Sequence, residues 1–123
     1  MSVHGARNQI HYAVLSWPGV FALPHRFGST EYRLGKRELG HLHGDHLVDI
    51  PFPKRLRDEI VAAGRAEPHH ALPDTGWISL HLNEPADIER AIALLRQSFE
   101  LAEQHESDRR GSDQNMTVPV RIR

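Results

Sequence analysis

The 123 residues carry a formal charge of -1, ten histidines and no cysteine, and 39% of them are hydrophobic. That length makes one domain with a modest core. The near-neutral balance supplies no general field for nucleic acid or an anionic membrane, and the missing cysteines exclude disulfides, thiol catalysis and cysteine-ligated zinc.

No stretch approaches the ~18 consecutive apolar residues that span a bilayer. The first residues lack the basic start and apolar run of a signal peptide. A soluble, cytoplasmic protein is the expectation, with no membrane partner.

In chain order, residues 6–16 read as a helix with Ile10, Ala13 and Val14 on one face. Trp17-Pro18-Gly19 stops it, because Pro18 disfavours helix at Trp17 and Gly19 permits a turn. "VFAL" at 20–23 reads as a short strand. "TEYRL" and "RELGHLH" flank Gly35-Lys36 as an extended pair, and Gly44-Asp45 is a second turn before the strand "HLVDIPF". Pro53 suits the first turn of a helix. Leu56, Ile60 and Ala63 continue it, and Gly64 marks its end.

"RAEPHHALPDTG" is a loop, and "WISLHL" alternates as a strand. A helical stripe then runs through Ile88, Ala91, Ile92, Leu95, Phe99 and Ala102. The division expected is one domain over 1–103 and a polar tail over 104–123, either disordered or an added edge strand, since Pro119 restricts "TVPVRIR" to an edge. The fold class that follows is α+β, a single antiparallel sheet packed against helices, with N-terminal and C-terminal helices flanking the strands.

The chemistry concentrates in "LGHLHGDHLVDIPF", residues 39–52. With Gly44-Asp45 as a two-residue turn, His43 faces His46, Leu42 faces Leu47 and His41 faces Val48. Alternation then gathers Leu39, His41, His43, His46, Val48 and Ile50 on one face, with Glu38, Leu42, Leu47 and Asp49 on the other. His41 and His43 start roughly 7 Å apart, and an opposed pair such as His43 and His46 about 5 Å apart.

Three imidazoles on such a patch could hold zinc at ~2.0–2.1 Å with one position open. His41, His43 and His46 are the candidate ligands, and Asp45 or Asp49 could orient a ring. Exposed turn histidines, or a histidine bonded to backbone, explain the same residues without a metal. The register decides between these readings, because a slip of one residue sends the rings to different faces.

"AEPHHALPDTGW" supplies a second group. His69 and His70 are adjacent on an extended loop and point opposite ways, so one of them joins a given site. Asp74 could raise the basicity of an imidazole, and Trp77 could wall a flat ligand or simply pack on the sheet. No serine lies in a nucleophile-elbow context.

The blocks "LGHLHGDHLVDIPFP", "GRAEPHHALPDTGW" and "AIALLRQSFELA" together resemble a small bacterial family that carries the label of a luciferase-type domain, over roughly residues 17–103. The resemblance implies no particular reaction, and no residue role comes with it. Nothing in the chain looks like a flavin, adenylate or imidazopyrazinone site. The element order also resembles the MmcQ/YjbR-type double-wing fold, a group suggested to bind DNA.

Arg33, Lys36 and Arg37 around one turn, and Lys54, Arg55 and Arg57 at one helix, could touch phosphates. Interspersed acids and the net charge weigh against a nucleic-acid partner. Three functions therefore stand. The first is a small-ligand or interaction module with a His-rich pocket built from His41, His43, Asp49, His69, His70, Asp74 and Trp77. The second is a metal- or His-assisted hydrolytic or proton-transfer enzyme. The third, given least weight, is a nucleic-acid-binding module. No cofactor motif is evident beyond a divalent ion such as zinc at the hairpin. An open sheet edge would allow a homodimer.

Overall fold

The computed structural model describes residues 2–122, with side chains through Arg109. The elements are α1 (Ala6–Leu15), β1 (Val20–Pro24), a 3₁₀ turn (Arg26–Gly28), β2 (Thr30–Leu34), β3 (Arg37–His43), β4 (Leu47–Pro51), α2 (Lys54–Ala62), β5 (Glu67–Pro68), β6 (Trp77–His81) and α3 (Ala86–Ile122). The strands form one antiparallel sheet in the order β1-β2-β3-β4-β6-β5. The fold is α+β, as the alternation of patterns implies.

Period decides which faces meet. On α1, Ala6, Ile10 and Val14 recur every four residues and are fully buried. On α3, Ile88, Ala91, Leu94, Leu95, Phe99 and Ala102 are buried. The two helices pack on each other, and α3 lies across β2, β3, β4 and β6. The strands meet them with Tyr32, Leu39, Leu42, Val48, Ile50, Ile78 and Leu80. The Tyr32 hydroxyl and His11 Nδ1 share a hydrogen bond of 2.7 Å, joining β2 to α1. Burial raises the Tyr32 phenol to about 12, so it remains un-ionised at neutral pH.

The α1 N-terminus has no side-chain cap of its own, since Gly5 stands there in the left-handed region. Asp45 supplies one from a distance, its Oδ1 accepting the Arg7 N–H at 2.8 Å. The hairpin turn is thereby tied to the helix.

Two expectations change. Gly44, Asp45 and His46 form a three-residue turn, so that His43 pairs with Leu47, Leu42 with Val48 and His41 with Asp49. The expected pairing is off by one residue. Gly44 takes a positive φ of 53°, and the His46 N–H donates to the His43 carbonyl at 3.2 Å, which closes the longer turn. The division expected at residue 103 also falls inside α3. Glu103, Gln104 and His105 are exposed helix surface, and Gln104 bonds Asp108 one turn on. Low hydrophobicity here marks a solvated helix face. Residues 117–122, suggested as an edge strand, fall within the span of α3.

One irregularity places the site. Tyr32 pairs with Gly40 but Arg33 with Glu38, leaving Leu39 as an extra residue in β3. This bulge breaks the alternation. Leu39 and Leu42 both enter the core, while Glu38 and His41 share the opposite face. The Leu39 carbonyl is satisfied by the Ser98 hydroxyl of α3 at 2.9 Å, both residues being buried. Gly40 sits at φ 154°, where a Cβ would come within 2.9 Å of the Asp49 carbonyl oxygen and of Leu95 Cδ2. Gly40→Ala is therefore expected to destabilise the fold by about 2–4 kcal/mol, combining overpacking with backbone strain. Denaturant unfolding checks this, and a cost within experimental error would show that the bulge can relax.

Candidate functional site

The sheet face away from α1 and α3 carries a transverse polar row. Glu31 of β2 pairs with His41 of β3, His41 with Asp49 of β4, and Asp49 with Ser79 of β6. Directly paired residues share a face, so four strands contribute one side chain each. The three-residue turn is what moves Asp49 onto the histidine face. The two-residue turn read from the sequence had put it on the other side.

Asp49 is the centre. Its side chain is only 2% exposed. Oδ1 accepts the Ser79 hydroxyl at 2.6 Å. Oδ2 faces His43 Nε2 at 2.9 Å, His41 Nε2 at 3.2 Å and His69 Nε2 at 3.5 Å. His41 is bracketed, because its Nδ1 lies 2.8 Å from Glu38 Oε2. His69 is brought in by the loop before β6: its N–H donates to the Trp77 carbonyl, and its Nδ1 accepts the Ala71 N–H at 3.1 Å. That acceptor role leaves the His69 proton on Nε2, directed at Asp49.

Aromatic rings enclose the cluster. His25 stacks on His41 with centroids 4.6 Å apart, and Trp77 lies 5.2 Å from His41 and 6.1 Å from His69. His25 is itself held by Glu31 at 3.0 Å.

Charges follow from these contacts. Burial disfavours the charged form of His41, but hydrogen bonds to Asp49 and Glu38 outweigh it and raise the ring to about 9. His41 is thus a cation at neutral pH. Burial lowers His43, and the neighbouring His41 charge adds to this against the pull of Asp49. Burial alone would raise Asp49, yet hydrogen bonds from His41 and Ser79 and the nearby rings of His69 and His43 hold it well below the usual carboxylate range. Glu31 is lowered too, with Arg33 and His25 overcoming its burial.

Of the residues singled out in the sequence, His41, His43, Asp49, His69 and Trp77 come together. His46 does not join the ligand group: its ring stands 6.4 Å from that of His43, in the turn. His41, His43 and Asp49 form the group that could hold a metal ion among the described residues, their donor atoms all within 4.8 Å of one another. His70 is exposed and stacks on His69 at 4.6 Å. Asp74 is exposed on the loop and makes no hydrogen bond or ion pair among the described residues.

Asp45, the other candidate for orienting a ring, caps α1 instead. Glu38, Ser79, Glu31 and His25 were missed. A glycine inside a strand pattern is a bulge signal, and Gly40 could have turned Glu38 toward His41. The basic clusters are partly paired, Arg33 with Glu31, Lys54 with Asp58 and Arg55 with Glu59.

A family model described as Luciferase domain matches residues 36–98, which span β3 to the middle of α3 and include every member of the cluster except Glu31 and His25. Comparison with the curated proteins and with the solved structures gave no significant match, and the likeness to the MmcQ/YjbR-type fold is not confirmed. No described helix is long and apolar enough to cross a membrane.

The cluster should shape stability against pH. The raised His41 value contributes stability that is complete below pH 6.5 and is lost as pH rises to about 9. The lowered Asp49 value contributes stability that is complete above about pH 4 and is lost on acidification. The lowered His43 and His11 values add a loss below pH 6.5. Thermal melts should therefore peak near pH 6.5 and decline toward pH 9. In His41→Gln the alkaline decline should flatten, and an unchanged slope would show that His41 is not the group responsible.

Proposed function

The chain belongs to the Luciferase-domain family, and from that premise and the site geometry we propose that it is a small-ligand-binding domain built on a divalent transition-metal centre. His41 Nε2, His43 Nε2 and Asp49 Oδ2 are the protein ligands.

The observation that carries this reading is the set of donor spacings. A tetrahedral ion with bonds of ~2.0–2.1 Å needs donors about 3.3 Å apart. Asp49 Oδ2 stands 3.2 Å from His41 Nε2 and 2.9 Å from His43 Nε2. Glu38 supports it by accepting from His41 Nδ1, the outer contact that fixes ring orientation and tautomer in metal sites. His69 is a poor ligand, because its Nδ1 already accepts a backbone N–H and its Nε2 needs the proton.

Two imidazoles and one carboxylate suit zinc, iron, cobalt or nickel, and leave positions for a further donor. His43, a quarter exposed, borders the open side. An ion there would displace the Nε2 protons that both rings direct at Asp49, so acid competes with it. A ligand carrying an oxygen or nitrogen donor could then complete the coordination. With water in that place, the same centre could support metal-assisted hydrolysis.

Co²⁺ titrated into chelator-treated protein should bind at about one ion per chain and give the visible absorption of a tetrahedral or five-coordinate site. His43→Ala and Asp49→Asn should weaken binding by about 10–100-fold or more. His46→Ala should bind like the parent. Absence of uptake, or loss of uptake in His46→Ala alone, would overturn the assignment.

A further inference from the structure

Beside the histidine cluster lies an open groove of about 400 Å³, lined by Arg37, Glu38, Pro51, Phe52, Pro53 and Trp77. We propose that this groove, lined by Pro51, Pro53, Trp77 and Arg37, binds a small aromatic monocarboxylate. The proposal rests on the groove's own residues and does not need the metal.

The shape comes from the chain. Pro51 and Trp77 are directly paired across β4 and β6, so their rings lie on the same sheet face. Phe52 turns its side chain into the core, 6% exposed, which leaves the rings of Pro51 and Pro53 to line the groove. Its backbone is clamped by Gly76: the Phe52 N–H donates to the Gly76 carbonyl at 3.0 Å, and a Cβ on Gly76 would collide with the Phe52 carbonyl oxygen. The base is therefore preformed. Two prolines and an indole offer flat, rigid, apolar surfaces, which suit a planar ring.

Charge selects the rest of the ligand. Arg37 is half-buried, and its side chain makes no ion pair or hydrogen bond among the described residues. Its guanidinium fork matches a carboxylate. The one carboxylate of the groove, Glu38, is occupied by His41 Nδ1 at 2.8 Å. One cation facing one paired acid favours a monoanion over a phosphate dianion, which would meet Glu38 with a single counter-charge. Trp77 lines the groove, and its indole N–H has no hydrogen-bond partner among the described residues.

The test uses the full chain after chelator treatment, so that its failure is separate from failure of the metal reading. The chain has two tryptophans. Trp17 packs on Phe99 at 5.4 Å, with Arg96 over its ring, and serves as an internal control. The two indole N–H signals are followed by ¹⁵N–¹H correlation spectra, assigned with Trp77→Phe, during titration with 2-naphthoate and with its neutral isostere 2-naphthalenemethanol. The expected result is a saturable shift of the Trp77 signal with Trp17 unmoved. Naphthoate should bind about tenfold more tightly than the alcohol, the worth of one good charge-assisted contact. Arg37→Gln should erase that preference while leaving the Trp17 signal in place. No saturable shift up to several millimolar, equal affinity for acid and alcohol in the parent, or a preference that survives Arg37→Gln would each overturn the proposal.

Discussion

A carboxylate buried in the middle of a sheet organises this protein. Asp49 is fully enclosed, and a lone carboxylate in that position would be costly. Three donors offset the cost, the Ser79 hydroxyl on one oxygen and the His41 and His43 rings on the other, with the His69 ring 3.5 Å away. They come from three places in the chain: His41 and His43 from β3, Ser79 from β6 and His69 from the loop before it. The His41 cation in turn needs Glu38 at its far side. The result is a compact charge-balanced unit, in which removing one member leaves another unpaired.

The helices hold this unit without touching it. Ser98 of α3 satisfies the carbonyl that the β3 bulge frees, and Leu95 of the same helix allows no side chain at Gly40. The bulge then presents Glu38 and His41 on one face. At the other end of the hairpin, Asp45 caps α1 from within the turn that sets the β3–β4 register. The core side of the sheet and the polar side thus meet at two backbone irregularities, the β3 bulge and the hairpin turn.

The polar face gathers four of the ten histidines of the chain. An open sheet face normally alternates to solvent-exposed polar residues of no particular kind. Here five rings, His25, His41, His43, His69 and Trp77, pack edge and face around one carboxylate. Such a surface has polar donors at its centre and flat apolar walls at its margin.

The sequence by itself determined the element types, the α+β class and the two segments that meet at the cluster. It did so because period-2 and period-3.6 patterns are local, as in "WISLHL" and in the stripe from Ile88 to Ala102. The stop at Gly64 and the punctuation at Pro51 and Pro53 are local in the same way. Only the tertiary structure decided which side chains share the site. The pairing of His41 with Asp49 depends on a turn one residue longer than its Gly-Asp signal, and a single slip exchanges the faces of a strand. Glu38 reaches His41 through a bulge stabilised by a residue 59 positions away. Ser79 and His69 enter through the β4–β6 pairing and the loop that precedes β6. These are long-range contacts made by packing, and no local pattern encodes them.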